Sequence, residues 1–351
     1  MTNQEMKKVL VKASIFAAVS IALMLYRSAT KHIMITDAAG TIIDRGESED
    51  SYNLLVDRQV PQGKENTLII PLPKSVSSDD IVLEDRYVDH EVCIYIDSRE
   101  DGFYMDNAVV TDLDIIDSAV CLKENDTGNV CLDFKLKDFY ANEISLTDAS
   151  TMEVRFFKPS DRYDHIVLID PVGGGIDTGY FTDELVEKTV TLDVAQALKA
   201  RADKESDDNI RFYFTRIGDA QVSLEKRKAL INDCQADLFI QISVDQNPDG
   251  VINGITTYYN DKFFLRNYNN GQFADTLERS VAGKTLSEAC GVFPMLEDDE
   301  LLGASTIPSA RVSVGNISGD SDAERLSEDN YARKVSEGLY QAVLQAFEEM
   351  E

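Results

Sequence analysis

Apolar positions in the C-terminal half of the chain alternate between strand-like runs and helix-like spacing. Residues 166–169 and 238–244 are largely apolar runs of the length of buried parallel strands. Between them, apolar residues recur at helical spacing from Val186 to Leu198, and a second helical face runs from Ala332 to Ala346. Alternating strands and helices predict an α/β domain over residues 159–351, with a mainly parallel twisted sheet and helices on both faces.

A different pattern fills residues 51–158, where short alternating runs are separated by turn residues. The clearest is 130–136, in which every even-numbered position is apolar while Cys131, Asp133 and Lys135 point the other way. Period two over this length predicts a strand with one buried face. Similar runs occur at 67–70, 81–83, 92–96 and 154–157, and no helical period competes with them. We therefore expect a small all-β, sandwich-like domain here.

The N-terminal segment has the pattern of a membrane anchor. Residues 9–26 form an apolar run of eighteen residues that is interrupted only by Lys12 and two serines. About twenty apolar residues span a bilayer. A cleaved signal peptide also fits, but no small-x-small motif follows directly, which favours an uncleaved anchor. Residues 1–30 are thus predicted to form a cytoplasmic tip and a membrane helix, and residues 31–50 a stalk.

The basic residues on either side of the apolar run predict the orientation of the chain in the membrane, and the net charge limits the kinds of partner. Lys7, Lys8 and Lys12 outnumber Arg27 and Lys31 across the apolar run, which predicts a single-pass membrane protein with its N-terminus inside and its main body extracytoplasmic. The net charge of -29, from 63 acidic and 34 basic residues, argues against a nucleic-acid partner. The mean hydropathy of -0.23 is that of an ordinary folded protein.

Five cysteines are too few for a disulfide scaffold, and an odd number cannot all pair within one chain. Cys121 and Cys131 flank the turn-like residues 125–128 and are expected to face each other across a hairpin, either as a disulfide or as two free thiols.

The segment 170–179, Asp-Pro-Val-Gly-Gly-Gly-Ile-Asp-Thr-Gly, follows the buried run 166–169 and forces an open turn. Ligands of open α/β sheets bind beyond the carboxyl ends of the strands. This position predicts a pocket for which the candidate residues are Asp170, Gly174, Asp177, Ser243 and Asn247.

This turn resembles that of the zinc-dependent N-acetylmuramoyl-L-alanine amidases, which cleave peptidoglycan and carry Asp-Pro-Gly-His-Gly-Gly-x-Asp-x-Gly here. The likeness covers about residues 164–348 and implies an amidase-like fold. It continues, in the same order, through Glu187-Lys188, Thr215-Arg216, Ser223-Leu224-x-x-Arg227, residues 236–240, Phe273-Ala274-Asp275, Ile307-Pro308 and Gly315-x-Ile317-Ser318.

The resemblance also implies which residues stand at the catalytic positions. The family binds zinc through two histidines and a glutamate, and a second glutamate acts as general base. Glu187 occupies the position of the glutamate ligand and is the one ligand position retained. Gly173 and Val244 stand at the two histidine positions, and Ser313 stands at that of the general base. No catalytic residue is therefore expected.

The three histidines of the chain offer no replacement. His32 lies beside the predicted anchor and His90 in the β region, while His165 begins the strand whose other end carries the turn, about 15 Å away. The remaining carboxylates, Asp177 and Asp245 with Glu187, suit magnesium or calcium better than a catalytic zinc. No cofactor is expected, and zinc only if the family's chemistry survives.

Three functional hypotheses follow from the resemblance. The first is a degenerate, membrane-anchored envelope protein that binds peptidoglycan or its fragments, or regulates another cell-wall hydrolase. The second is an active zinc amidase that hydrolyses the bond between glycan and peptide, with ligands from other positions or from a partner chain. The third is a structural envelope scaffold that binds no ligand.

Overall fold

The computed structural model describes residues 33–37, 51–98, 100, 102–123, 129–147, 150–205, 209–247, 253–262, 267–295 and 299–351. The membrane helix predicted within residues 1–30 lies outside these residues. In the part of the chain that is described, no helix is long and apolar enough to cross a bilayer.

The N-terminal half is built of short strands with one four-residue helix, α1 (Phe103–Asp106). Residues 34–37, which the sequence placed in a stalk, instead form a strand that pairs in parallel with residues 82–85. In chain order the strands are β1 (Met34–Asp37), β2 (Ser51–Asn53), β3 (Val56–Asp57), β4 (Thr67–Pro71), β5 (Ile81–Arg86), β6 (Glu91–Ile96), β7 (Val109–Thr111), β8 (Ile116–Lys123), β9 (Val130–Leu136), β10 (Ala141–Thr147) and β11 (Thr151–Phe157).

These strands form two sheets, of order β1-β5-β6-β9-β8-β2 and β10-β11-β4-β7-β3. Apolar side chains from both sheets share one core, to which Leu68, Val154, Ile94 and Leu132 belong. The alternation of β9 explains this packing, because its even-numbered residues enter the core and its odd-numbered residues face away.

The register corrects the expected pairing of Cys121 with Cys131. Cys121 lies opposite Leu132, and Cys131 lies opposite Leu122, so the two cysteines are offset by one residue across β8 and β9. A one-residue offset places side chains on opposite faces of a sheet. Cys121 is in the core, whereas Cys131 is not, and both are free thiols.

The C-terminal half contains the predicted alternation of strands and helices. The strands are β12 (His165–Pro171), β13 (Ile210–Phe214), β14 (Leu238–Asp245), β15 (Ile255–Tyr259), β16 (Ala289–Pro294) and β17 (Ser309–Asn316). The helices are α2 (Glu187–Lys204), α3 (Leu224–Asp233), α4 (Asn270–Thr285), α5 (Glu300–Ala304), α6 (Asp320–Leu326) and α7 (Tyr331–Met350). Ser223 caps α3 by accepting a hydrogen bond from the Lys226 N–H.

The strands form one sheet of order β13-β12-β14-β17-β15-β16, in which β17 and β15 are antiparallel and the other neighbours are parallel. Helices α2, α4 and α7 cover one face, and α3 and α5 cover the other. The mainly parallel sheet with helices on both faces is confirmed. Its carboxyl edge carries the turn after β12, the start of α2 and the end of β14.

The two halves share a small apolar core. Tyr87 and Phe139 from the N-terminal half pack edge-on against Tyr213 of β13. The Tyr87 hydroxyl donates to the Phe214 carbonyl at 3.0 Å and accepts from the Phe214 N–H at 2.9 Å. One buried tyrosine therefore satisfies both backbone groups of a residue on an edge strand.

Candidate functional site

Two buried arginines donate hydrogen bonds to the backbone carbonyls of the turn after β12. Arg216 donates to the carbonyls of Pro171 and Val172, at 3.0 and 2.8 Å. Arg227 donates to the carbonyl of Gly173 at 2.7 Å and forms an ion pair with Asp170. The backbone of the turn adopts positive φ at three successive residues, and all three are glycines. Glycine adopts positive φ without steric cost, so it allows these carbonyls to point toward the arginines.

Asp170 is the buried counterion of this arrangement. It is 1% exposed and accepts hydrogen bonds from Thr215, at 2.6 Å, and Gln241, at 3.0 Å, in addition to the Arg227 contact. Burial first, and then the neighbouring Arg227 cation, lower the pKa of Arg216 to about 10. Two guanidinium groups and one buried carboxylate therefore lie beneath the turn. The stability of this part of the fold depends on Asp170, because it is the negative charge that compensates the arginines.

Glu187, at the start of α2, is buried at the carboxyl edge of the sheet. Its Oε2 accepts from the Tyr180 N–H at 2.9 Å, and its Oε1 accepts from the Val244 N–H at 3.0 Å. The carboxylate thus joins the loop before α2 to the end of β14. Burial raises the pKa of Glu187, although both backbone donors and the Arg311 cation act in the opposite direction.

The positions that the resemblance aligned with ligands lie around Glu187. Val244 reaches it through the backbone, and its side chain belongs to the apolar core. Gly173 has φ +77°, and a Cβ there would lie 2.9 Å from both the Asp177 carbonyl and the Lys188 Cβ. Ser313 is fully buried and donates to the Gly315 carbonyl at 3.3 Å.

A cleft of about 790 Å³ opens beside Glu187. Its wall combines aromatic rings with one cation, because Tyr258 and Arg311 are directly opposite each other on the antiparallel strands β15 and β17. The Arg311 guanidinium lies 4.6 Å from the centre of the Tyr258 ring and pairs with Asp299. Tyr180 and Phe293, both about half exposed, complete the aromatic lining.

Asp245 and Cys290 also line this cleft. The Asp245 carboxylate accepts from the Tyr258 hydroxyl at 2.9 Å, on the side of β14 away from the Val244 side chain, as strand alternation predicts. Burial, followed by nearby carboxylates, raises the pKa of the Cys290 thiol. Because the thiolate is the reactive form, Cys290 is poorly suited to act as a nucleophile.

The five predicted pocket residues do not share one pocket, which corrects that prediction. Ser243 and Asn247 line the cleft, with Val172, Glu187 and Val244. Asp170, Gly174 and Asp177 lie on the other side of the turn, around a separate, more open depression. The two groups are separated because the turn lies between them, with Gly174 packed against Arg216 and the Ala220 carbonyl.

The residues described at the cleft do not fit a catalytic zinc ion. Gly173 has no donor, the Val244 side chain is apolar, and each Glu187 oxygen already accepts a backbone N–H.

His165 stacks on Phe347 at the amino end of the sheet, and His90 pairs with Asp233 where the two halves meet. In the described ranges, three or more clustered metal donors occur in the N-terminal half and not at this cleft.

Tyr258, Phe293 and Arg311 were not identified from the sequence. Nothing in the sequence placed β16 at the sheet edge or set Arg311 across from a tyrosine. Their convergence depends on the antiparallel insertion of β15.

The C-terminal half is an α/β unit with a cleft at the carboxyl edge of its sheet, and comparison with known proteins gives its family. The family model described as N-acetylmuramoyl-L-alanine amidase matches residues 167–345, about half of the chain. The chain belongs to this family.

Part of the chain is similar to individual proteins. The germination-specific N-acetylmuramoyl-L-alanine amidase of Bacillus subtilis is 28% identical over 200 residues, which cover 52% of this chain and 80% of that protein. The N-acetylmuramoyl-L-alanine amidase LytC of the same organism is 26% identical over 174 residues, covering 50% of this chain and only 34% of LytC. The crystal structure of an N-acetylmuramoyl-L-alanine amidase from Clostridium difficile 630 is 26% identical, with a TM-score of 0.48, and covers 52% of this chain and 97% of that one.

Proposed function

We propose that this protein is a membrane-anchored envelope protein whose amidase-like unit binds peptidoglycan, or fragments of it, without hydrolysing the amide bond. The observation that carries the proposal is the state of Glu187. Both of its oxygens serve as acceptors for backbone N–H groups, while glycine and valine stand where the family's histidines would be. No cofactor is required for such a role, and the bound surface would also serve to regulate another cell-wall hydrolase.

The lining of the cleft supports recognition of a sugar-peptide polymer. Aromatic faces of Tyr180, Tyr258 and Phe293 offer flat apolar area, and Arg311 and Asp245 offer one group of each charge. Ligand pockets commonly combine such aromatic walls with a few placed polar groups. Arg311 is held by Asp299 and by the Tyr258 ring, so it is ordered before a ligand binds.

Co-sedimentation with purified peptidoglycan sacculi tests this proposal. The full-length protein in detergent should bind both at low salt and at about 0.15 M salt, where its own negative charge is screened. Phe293→Ala removes a half-exposed ring from the cleft wall and should weaken binding about tenfold, because a buried aromatic side chain contributes about 1.5–3 kcal/mol. Met350→Ala, at the end of α7 and distant from the cleft, is the matched control and should bind normally.

The rival hypotheses give different results in this experiment. A wild-type protein that fails to sediment under both conditions favours a structural scaffold. Binding that is equal in wild type and Phe293→Ala places recognition elsewhere than in the cleft. Release of peptide during the incubation points to an active amidase.

A further inference from the structure

The cleft beside Glu187 has an excess of negative charge. In the described part of the chain, the charged side chains that line it are Glu187, Asp245 and Arg311. Arg311 is already ion-paired, because its Nη1 lies 3.1 Å from a carboxylate oxygen of Asp299. Asp299 is almost fully buried and lines the neighbouring depression rather than the cleft. Three carboxylates therefore face one guanidinium, and two negative charges remain without a cation.

The hydrogen bonds that reach the two cleft carboxylates come from neutral groups. Glu187 accepts from the backbone N–H groups of Tyr180 and Val244. Asp245, which is half-buried, accepts from the Tyr258 hydroxyl at 2.9 Å. Such hydrogen bonds fix the position of a carboxylate and leave its charge uncompensated. Because a charge removed from water is costly unless it is paired, a cation brought by the ligand would be stabilised here and a carboxylate would be repelled.

Aromatic rings surround these carboxylates. Tyr258 and Phe293 are partners in the parallel register of β15 and β16, and their ring centres lie 6.4 Å apart. Tyr180 provides a third ring on the other side of the lining. The face of an aromatic ring attracts an ammonium group that lies within about 6 Å of its centre. A carboxylate among aromatic faces is therefore suited to an organic ammonium group.

We propose that the cleft binds a primary amine of its peptidoglycan ligand, with Asp245 as the counterion and the rings of Tyr180, Tyr258 and Phe293 around it. This inference rests on the function proposed above and specifies which group of the polymer is recognised. The amine is either on a side chain of the peptide or on a sugar that lacks its acetyl group. Both sources present the same ammonium group to the cleft.

Acetylation of the ligand tests the proposal with the wild-type protein. Acetic anhydride converts the free amines of purified sacculi into neutral amides. Co-sedimentation is then measured at about 0.15 M salt, with the full-length protein in detergent. Binding to acetylated sacculi should be at least about tenfold weaker than binding to untreated sacculi, because Asp245 is left buried without a partner in the complex.

Two variants separate the cleft from the net charge of the protein, since a charge of -29 also favours amine-bearing ligands. Asp245→Asn keeps the size of the side chain and an acceptor for the Tyr258 hydroxyl. It should bind untreated sacculi as weakly as acetylated ones. Asp183→Asn removes one exposed charge from the loop before α2 and is the matched control. It should distinguish the two preparations as the wild type does.

Small competitors identify the source of the amine. The peptide acetyl-Ala-Ala-Lys amide carries one side-chain amine, and a glucosamine trimer carries amines on sugars. Each is compared with its own acetylated form for its ability to displace the wild-type protein from untreated sacculi. Displacement by the unacetylated peptide alone assigns the cleft to the peptide, and displacement by the trimer alone assigns it to the sugar.

Three results would overturn the proposal. They are equal binding of the wild type to both preparations, discrimination by Asp245→Asn that matches the wild type, and competitors that act no better than their acetylated forms. If the wild type binds both preparations equally and Phe293→Ala binds both more weakly, recognition by the cleft stands and only the amine is wrong. A wild-type protein that does not bind untreated sacculi contradicts the proposed function as well.

Discussion

Glu187 and Val244 are joined by a hydrogen bond of 3.0 Å from the Val244 N–H to Oε1 of the carboxylate, across 57 residues of sequence. The same carboxylate accepts the Tyr180 N–H through Oε2. A residue at a ligand position of a hydrolase family thus acts here as a bridge between the loop before α2 and the end of β14. The aligned partner position contributes its backbone to this bridge, and its side chain to the core.

Replacing Glu187 by glutamine should destabilise the protein. A neutral amide has one acceptor oxygen, so its NH2 group would face one of the two backbone N–H donors. A buried donor left unsatisfied costs about 1–3 kcal/mol, which we expect as the loss in the free energy of unfolding measured with denaturant. Glu184→Gln, exposed on the same loop, is the control and should change stability little. Equal stability of Glu187→Gln and the control would contradict a bridging role.

Replacing Asp170 by asparagine should cost more, about 3–5 kcal/mol, because it leaves the Arg227 cation buried without its partner. The variant is compared with Asp164→Asn, an exposed change at the other end of β12. A loss below about 1 kcal/mol would mean that solvent reaches the arginines and compensates them.

The same carboxylate should give part of the acid sensitivity of the fold. Burial opposes ionisation of Asp170, but the Arg227 cation and the hydrogen bonds from Thr215 and Gln241 outweigh it, so its pKa lies below the usual value. Because the unfolded chain takes up this proton at a higher pH, the contribution of Asp170 to stability is complete above about pH 4 and is lost as the pH falls through the folded-state pKa. Stability measured from pH 6 downward should therefore fall less steeply in Asp170→Asn than in the wild type.

Restoring both histidines tests the alignment of the cleft. Gly173→His with Val244→His should create zinc binding that depends on Glu187. The left-handed backbone at Gly173 and the contacts of a Cβ there make a loss of stability of about 1–3 kcal/mol part of the expected result. Zinc affinity no higher than that of the wild type, in a variant that still folds, would show that these positions do not face one another.

Loss of a single hydroxyl should weaken the contact between the two halves. Tyr87→Phe leaves the N–H and the carbonyl of Phe214 without their partner, at an expected cost of about 1–3 kcal/mol. Tyr104→Phe, which removes one hydrogen bond to Pro71 within the N-terminal half, is the control. Limited proteolysis should cleave the region around residues 158–164 faster in Tyr87→Phe than in the control; equal rates would contradict the role of this contact.

Hydrophobic periodicity predicted the strands that bury one whole face or both. The run 130–136 coincides with β9, and 166–169 lies within β12. Strands β8 and β10 were missed because exposed or half-buried positions interrupt their alternation. The pairing of Cys121 with Cys131 failed for a related reason, since composition does not reveal a register offset of one residue.

The candidate site was predicted only where a local motif marked it. Glu187 and Val244 follow from motifs in the right order, and the structure brings them together. Phe293 and Arg311 carry no such signal, because their place in the cleft is set by the order of β15 and β16 in the sheet. Asp170 is part of the motif, but in the structure its carboxylate forms an ion pair with a buried arginine beneath the turn.

Hydrolysis itself is the most direct test of the central proposal. The full-length protein, supplied with zinc, is incubated with purified peptidoglycan, and the free amino groups of newly exposed alanine are counted against Glu187→Gln and a no-protein blank. We expect wild type, variant and blank to release the same amount. Steady release by the wild type that is lost in Glu187→Gln would show a working amidase and contradict the proposal.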